Sequence, residues 1–172
     1  MSNHGGMCNA FTSLTETNYH FKCSNEAFEE GLDRIAQFFI APKFSAESAE
    51  KEVNAVDSEF NMSLQNDSWH FFNLLMNLAE DDSNLHRFMC GNKATLQVDG
   101  MRDHLLNFHK KWYSSNIMHL VILSNSPIAD LEKWATEKFS EIKNFDVEVP
   151  VLGEPHPFPA GKLGKLIKFV PI

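Results

Sequence analysis

The chain has 172 residues, of which 43% are hydrophobic and fifteen are Phe, so we expect a packed globular domain and exclude a disordered one. Its net charge is −8: residues 161–172 carry three Lys and no acid, so the preceding 160 residues carry 12 basic and 23 acidic side chains, or −11. Such an acidic body argues against nucleic acid as a partner, because phosphate binding needs clustered Lys and Arg. No apolar run approaches the roughly 20 residues of a membrane span, so a membrane partner is not expected either.

Residues 7–12 and 17–23 are predicted to form a β-hairpin with its turn at Thr15-Glu16. The strand-favouring residues in this segment are Phe11, Thr12, Thr17, Tyr19 and Phe21. Ser24 or Asn25 can then cap a first helix, which Pro42 ends. Apolar residues recur along this helix every three or four positions and predict one buried face: Phe28, Leu32, Ile35, Ala36 and Phe39.

A second helix is predicted to begin after Ser45 and to continue to about residue 80. Its apolar stripe consists of Ala49, Val53, Val56 and Phe60. At ~100° per residue, Glu52 and Glu59 point in directions only ~20° apart, and both border this stripe. Of two carboxylates on one side of a helix, one can bind a metal ion while the other supports it, although most such pairs are simply exposed to solvent beside the apolar stripe.

The rest of the chain is predicted to contain a loop at 80–93, a third helix at 100–113 and a fourth helix that starts at Ser126-Pro127. The third helix has the stripe Met101, Leu105, Phe108 and Trp112, and the fourth has Leu131, Trp134, Ala135 and Phe139. Two apolar runs favour strands: a central strand at 117–123 and a last strand at 166–170. Strands and helices without strict alternation predict an α+β fold, with helices packed on a mixed, mostly antiparallel sheet.

The three cysteines, Cys8, Cys23 and Cys90, form no C-x-x-C pair. An odd number of cysteines favours reduced thiols in a cytosol-like compartment, and one disulfide between two of them is the alternative. The first six residues lack the basic and apolar regions of a secretory signal. We therefore expect a soluble, cytoplasmic protein.

Several blocks resemble, in the same order, the insulin-degrading enzyme and pitrilysin family of inverted-motif zinc metallopeptidases. Residues 4–13 with 17–21 resemble its substrate-binding hairpin, and 52–59 resemble the helix that supplies its third zinc ligand. The likeness continues over nearly the whole chain, at residues 32–39, 91–96, 113–116 and 168–172.

The resemblance implies a role for five residues. Glu59 falls where the family places its zinc-binding carboxylate, and Glu52 falls where it places a supporting catalytic acid. The substrate-binding strand is matched by Asn9, Ala10 and Phe11. The implied cofactor of the complete site is zinc, and the implied partners are unfolded peptides.

The family's H-x-x-E-H motif supplies two histidine ligands and the glutamate that activates water. None of the eight histidines of this chain stands in such a motif. Residues 1–172 therefore read as a single partial N-terminal peptidase domain, truncated at both ends. Because catalytic zinc takes three protein ligands, we expect no peptide hydrolysis by this chain alone and no zinc retained by it.

Three interpretations remain open. In the first, the chain is a fragment of an insulysin-type zinc metalloendopeptidase, whose missing motif lies upstream. In the second, it is a non-catalytic module that binds peptides or assists a complementary peptidase half or subunit. In the third, it is a decayed copy without function.

Overall fold

The structure, a computed structural model, describes residues 5–151 and 157–171. The chain divides into two compact units. The first combines the residues up to Lys43 with Leu105–Val149, and the second combines Phe44–His104 with the residues from Pro150 onward. The strands are β1 (Met7–Thr12) and β2 (Thr17–Lys22), and the helices of four residues or more are α1 (Phe28–Ile40), α2 (Ala46–Ser63), α3 (Asp67–Asn77), α4 (Lys93–Leu96), α5 (Met101–Trp112) and α6 (Ile128–Phe139).

The first unit begins with the predicted hairpin, which is confirmed. β1 and β2 pair antiparallel, with Ala10 opposite Tyr19 at their centre. The turn is closed by the Ser13 amide, which donates to the Glu16 carbonyl over 2.8 Å. This two-stranded antiparallel sheet, together with the helices, confirms the predicted α+β class.

The hairpin packs on α1 through a close approach at Gly31. A Cβ atom on this residue would stand 2.7 Å from a ring carbon of Phe21 in β2. Phe21 also stacks on Phe28, with ring centroids 5.8 Å apart. The predicted apolar face of α1 is confirmed, since Leu32 is only 2% exposed and Ile35 is also buried.

Helix α6 lies against the other end of this core. Trp134 meets Phe28 edge to face, with centroids 6.5 Å apart, and Lys138 forms a 3.3 Å ion pair with Glu29. The predicted helix start is one residue early, because Pro127 occupies the cap position and the helix begins at Ile128. The fixed φ angle of proline suits either place.

Neither of the two predicted late strands is present in the described part of the chain. Residues 115–117 form a 3₁₀ turn, and Val121 and Leu123 beyond them are 89% and 90% exposed. The run at 166–170 is also unpaired, and its Leu166 and Val170 are exposed. An apolar β-branched run becomes a strand only when another strand accepts its hydrogen bonds, and no described segment does so here.

The second unit corrects the prediction of one long helix. α2 ends at Ser63 and α3 starts at Asp67, because the side chain of Asn66 accepts from the amides of Ser68 and Trp69, at 2.9 and 3.3 Å. The predicted cap at Ser45 is confirmed, since its hydroxyl oxygen accepts from the Ser48 amide at 3.2 Å.

The predicted stripe of α2 is half-buried along its length. Phe60, near the end of α2, meets Phe88 of the loop after α3 at right angles, with ring centroids 5.6 Å apart. The predicted loop at 80–93 is confirmed up to Asn92, where α4 is capped. The third predicted helix is confirmed as α5. None of its residues is buried, and Phe108, at 58% exposed, does not join the half-buried positions of the predicted stripe, Met101, Leu105 and Trp112.

Candidate peptide-binding edge and carboxylate helix

Strand β1 carries the three residues predicted to bind substrate, and all six of its residues are exposed. β1 pairs only with β2 among the described residues, so its other edge is open. An open edge presents a row of backbone N–H and C=O groups to which another extended chain can bind.

The hairpin register decides which of these backbone groups point outward. The bond between Ser13 and Glu16 makes them a hydrogen-bonded pair, and such pairs alternate with unbonded pairs along an antiparallel ladder. Phe11 and Asn9 therefore direct their backbone groups toward β2. The backbone groups of Cys8, Ala10 and Thr12 point to the open edge.

A side-chain contact agrees with this alternation. The amide of Ala10 donates to Oδ1 of Asn9 over 2.8 Å, so it is not used by β2. The hydroxyl oxygens of Thr12 and Thr17 lie 3.2 Å apart, as expected where two side chains face each other in an unbonded pair. Ala10 thus lies at the centre of the open edge, and its neighbours there, Cys8 and Thr12, were not indicated by the sequence.

The two faces of the hairpin differ. Tyr19 and Phe21 of β2 lie on the face that packs on α1, where Tyr19 meets Phe39 edge to face, with centroids 5.3 Å apart. Phe11 lies on the opposite face and is 51% exposed, with the His20 ring 6.4 Å from its own. A peptide strand at the edge of β1 can therefore place alternate side chains beside Phe11.

Tyr19 is held in place by Tyr113, which follows α5. The two phenol hydroxyls are hydrogen-bonded, and His109 stacks on the Tyr113 ring with centroids 4.5 Å apart. Burial raises the pKa of Tyr113, and the hydrogen bond with Tyr19 raises it further. Burial lowers the pKa of His109, while the Phe39 carbonyl that faces its Nε2 atom at 3.1 Å acts in the opposite direction.

The two predicted carboxylates lie on α2, in the second unit. Glu52 and Glu59 are both exposed, so neither carries the desolvation cost of a buried acid. Glu59 has a neighbour that the sequence did not indicate. Burial raises the pKa of the Cys90 thiol, and the negative charge of Glu59 raises it further, which places this cysteine in the electrostatic field of the carboxylate.

The segment that carries Cys90 is fixed to α2 by its next residues. The Lys93 amide donates to Oδ1 of Asp57 over 2.8 Å, and the Lys93 ammonium group donates to Oδ1 of Asn54 over 3.3 Å. Asn92 and Thr95 close a reciprocal capping box at the start of α4. These bonds join the block 91–96 to the block 52–59 in the fold.

The metal-ligating side chains in residues 5–151 and 157–171 do not suffice for a catalytic metal. Among the described residues, no three His, Cys, Asp or Glu side chains are grouped so that they could hold a metal ion. Zinc in a peptidase takes three protein ligands, and Glu59 with Glu52 offers carboxylates alone. The residues that the structure describes therefore do not fit a complete zinc site by themselves.

Two further features bear on the sequence expectations. All three cysteines are free thiols. Within the described ranges, none of the helices combines the length and apolar character needed to traverse a bilayer. The cytoplasmic location stays a prediction.

Comparison with known families gives two matches. Residues 1–92 match the family described as Insulinase (Peptidase family M16), and residues 101–172 match the Peptidase M16 inactive domain. The crystal structure of pitrilysin is similar, with a TM-score of 0.83 and 29% identity over 90% of this chain and 17% of that one.

Relatives in sequence cover the whole chain. The insulin-degrading enzyme of Drosophila melanogaster is 42% identical and that of Homo sapiens 41%, over 100% of this chain and 18% and 17% of their own length. The A-factor-processing enzyme of Saccharomyces cerevisiae is 38% identical, again over 100% of this chain and 17% of its own. The chain thus spans under a fifth of the length of the curated relatives that it matches. These matches confirm the resemblance seen in the motifs, and the chain belongs to the insulinase family of peptidases, family M16.

Proposed function

We propose that this chain is the part of an insulysin-type zinc metalloendopeptidase that holds the backbone of an unfolded peptide and contributes one carboxylate to the zinc site. The observation that carries the proposal is the open edge of β1, with the outward backbone groups of Cys8, Ala10 and Thr12. Main-chain pairing of this kind binds peptides with little dependence on their sequence.

β1 is a better edge for this purpose than β2. Every residue of β1 is exposed, whereas β2 is tied to α1 through Tyr19 and Phe21. Phe11 adds an apolar surface beside the edge, since half of its side chain is accessible. Backbone pairing then supplies affinity, and the side chain of Phe11 supplies preference for an apolar neighbour.

Proline substitution tests the edge. Ala10→Pro removes an N–H that β2 does not use, so the hairpin is retained while the edge loses its central donor. We expect the affinity for a fluorescent unfolded peptide, measured by anisotropy, to fall about tenfold, because one bond and the close approach are lost. The matched control is Thr17→Pro, which places proline at the outer edge of β2.

The proposal requires that Thr17→Pro bind the peptide as the unmodified chain does. Circular dichroism confirms in each case that the fold is retained. Equal weakening by both prolines, or peptide binding unaffected by Ala10→Pro, would place peptide binding elsewhere.

For catalysis we propose that Glu59 serves as a zinc carboxylate only where two further ligands are supplied, with Glu52 as its supporting acid. The exposed position of both side chains and the lack of a three-donor group among the described residues support this division. Purified chain with added zinc is therefore expected to leave an unfolded peptide intact. Cleavage is expected when a polypeptide that carries the H-x-x-E-H segment is added.

Glu59→Gln is then expected to abolish the cleavage, whereas Glu50→Gln, an exposed acid on the same helix, retains it. The proposal would be contradicted if the chain cleaved the peptide without the H-x-x-E-H polypeptide and if Glu59→Gln abolished that cleavage.

The second candidate is a non-catalytic module that binds peptides or assists a peptidase partner. The same incomplete donor set favours it. The two candidates differ in the mixing experiment. If the chain binds the peptide but no added H-x-x-E-H polypeptide produces cleavage, the non-catalytic module is the correct candidate.

A further inference from the structure

We propose that the side-chain carboxamide of Asn9 competes with bound peptides for the Ala10 amide at the β1 edge. The carboxamide must release this amide before a peptide carbonyl can accept its hydrogen bond. This inference rests on the proposed function, and it gives Asn9 a role opposite to that of a simple substrate contact. The Ala10 amide points to the open edge and donates to Oδ1 of Asn9 over 2.8 Å.

The competition follows from the geometry of one hydrogen atom. An amide N–H makes one well-aligned hydrogen bond, with its acceptor close to the N–H axis. In β pairing, the carbonyl oxygen of an added strand takes that same position. Oδ1 of Asn9 and a peptide carbonyl therefore exclude each other at Ala10.

Asn9 can yield this position without damage to the hairpin. Its own backbone groups belong to the hydrogen-bonded pair with His20, so they stay in the ladder while the side chain rotates. Both Asn9 and Ala10 are exposed, so the released carboxamide is solvated. Release then costs one exposed hydrogen bond.

The contact also has a protective consequence. An open edge strand is a template for pairing between copies of a chain, and natural sheets cover or interrupt such edges. In β1 the central donor is covered by a side chain that a better-placed acceptor can displace. The Asn9 contact thus disfavours pairing between copies of the chain at this edge, while a peptide can still displace it and bind.

The test compares Asn9→Ala, which removes the competitor, with Asn9→Asp, whose charged oxygen is a stronger acceptor for the same amide. The matched control is Asn18→Ala, since Asn18 lies on the same hairpin but its Oδ1 faces Nδ1 of His20 at 3.1 Å. Two quantities are measured for each protein. They are the hydrogen-exchange rate of the Ala10 amide without peptide, by NMR, and the affinity for the fluorescent unfolded peptide.

Asn9→Ala is expected to speed Ala10 exchange and to bind the peptide about three- to tenfold more tightly, the equivalent of one net hydrogen bond. Asn9→Asp is expected to bind more weakly than the unmodified chain, and Asn18→Ala to match it in both measurements. Unchanged Ala10 exchange in Asn9→Ala, or weaker peptide binding by that variant with its hairpin intact, overturns the competitor role. If exchange accelerates but even the unmodified chain binds no peptide, the proposed function is wrong and the competitor role falls with it.

Discussion

The hydroxyl of Tyr19 is hydrogen-bonded to the hydroxyl of Tyr113, a residue 94 positions further along the chain. Tyr19 also stands directly opposite Ala10 in the hairpin. The end of α5 therefore holds β2 at the level where β1 presents its central outward amide. The position of the proposed peptide-binding edge depends on this pair.

Removal of either hydroxyl should weaken the first unit. Tyr19→Phe and Tyr113→Phe each leave a partly buried hydroxyl without its partner, so we expect each to lower the free energy of unfolding by about 1–2 kcal/mol in urea denaturation. The double variant should cost little more than either single one, because the same bond is lost. Strictly additive losses in this cycle would show that the two hydroxyls are not coupled.

The stability of the first unit should also fall at alkaline pH. Burial, followed by the Tyr19 hydrogen bond, raises the pKa of Tyr113 above the ordinary 10.0, so the unfolded chain loses this proton before the folded one does. The stabilisation is complete below about pH 10 and declines as the pH rises from there toward the raised folded value. Urea denaturation at a series of pH values should show this decline, and Tyr113→Phe should make it shallower. An identical decline in both proteins would assign it to other groups.

Gly31→Ala should destabilise the chain although alanine is the better helix former by about 1 kcal/mol. The added Cβ would meet the Phe21 ring at 2.7 Å, and Phe21 is itself stacked on Phe28. We expect a net loss of about 1–3 kcal/mol, typical of overpacking. Gln37→Ala, on the exposed face of the same helix, is the control and should change stability by less than about 0.5 kcal/mol. A stabilised Gly31→Ala protein would mean that β2 does not pack closely on α1.

Asn66→Ala should destabilise the start of α3, at the boundary between α2 and α3. The Asn66 side chain accepts from two amides at the start of α3, so its removal leaves both without an acceptor. A loss of about 1 kcal/mol in unfolding free energy is expected, whereas Gln65→Ala, which has no cap to lose, should be nearly neutral. Equal effects of the two substitutions would show that the cap does not define the helix boundary.

Local signals explain what the sequence could predict. The hairpin at Met7–Lys22 and the buried face of Leu32 and Ile35 follow from strand propensity and from spacings of three and four residues. The break at Asn66 was missed because the apolar pattern continues across it, and only the observed cap shows that the chain turns there. The run at 117–123 has strand composition, but composition cannot supply a partner strand.

In the candidate site, too, some features follow from the local sequence and others depend on the fold. The positions of Glu52 and Glu59 on one helix follow from spacing, and their proposed roles follow from family resemblance. The nearness of Cys90 to Glu59 depends on how the segment before Lys93 is bonded to α2, which no local pattern contains. Likewise, the outward direction of the Ala10 amide depends on the register fixed at Ser13, where a shift by one residue would reverse it.

The central claim is that β1 holds a peptide by its outward backbone groups, and amide exchange with and without a bound unfolded peptide tests it most directly. The account predicts that the peptide slows exchange at Cys8, Ala10 and Thr12 and leaves Asn9 and Phe11, already bonded to β2, nearly unchanged. Protection at Asn9 and Phe11 in place of their neighbours, or no change along β1 while the peptide is bound, would contradict it.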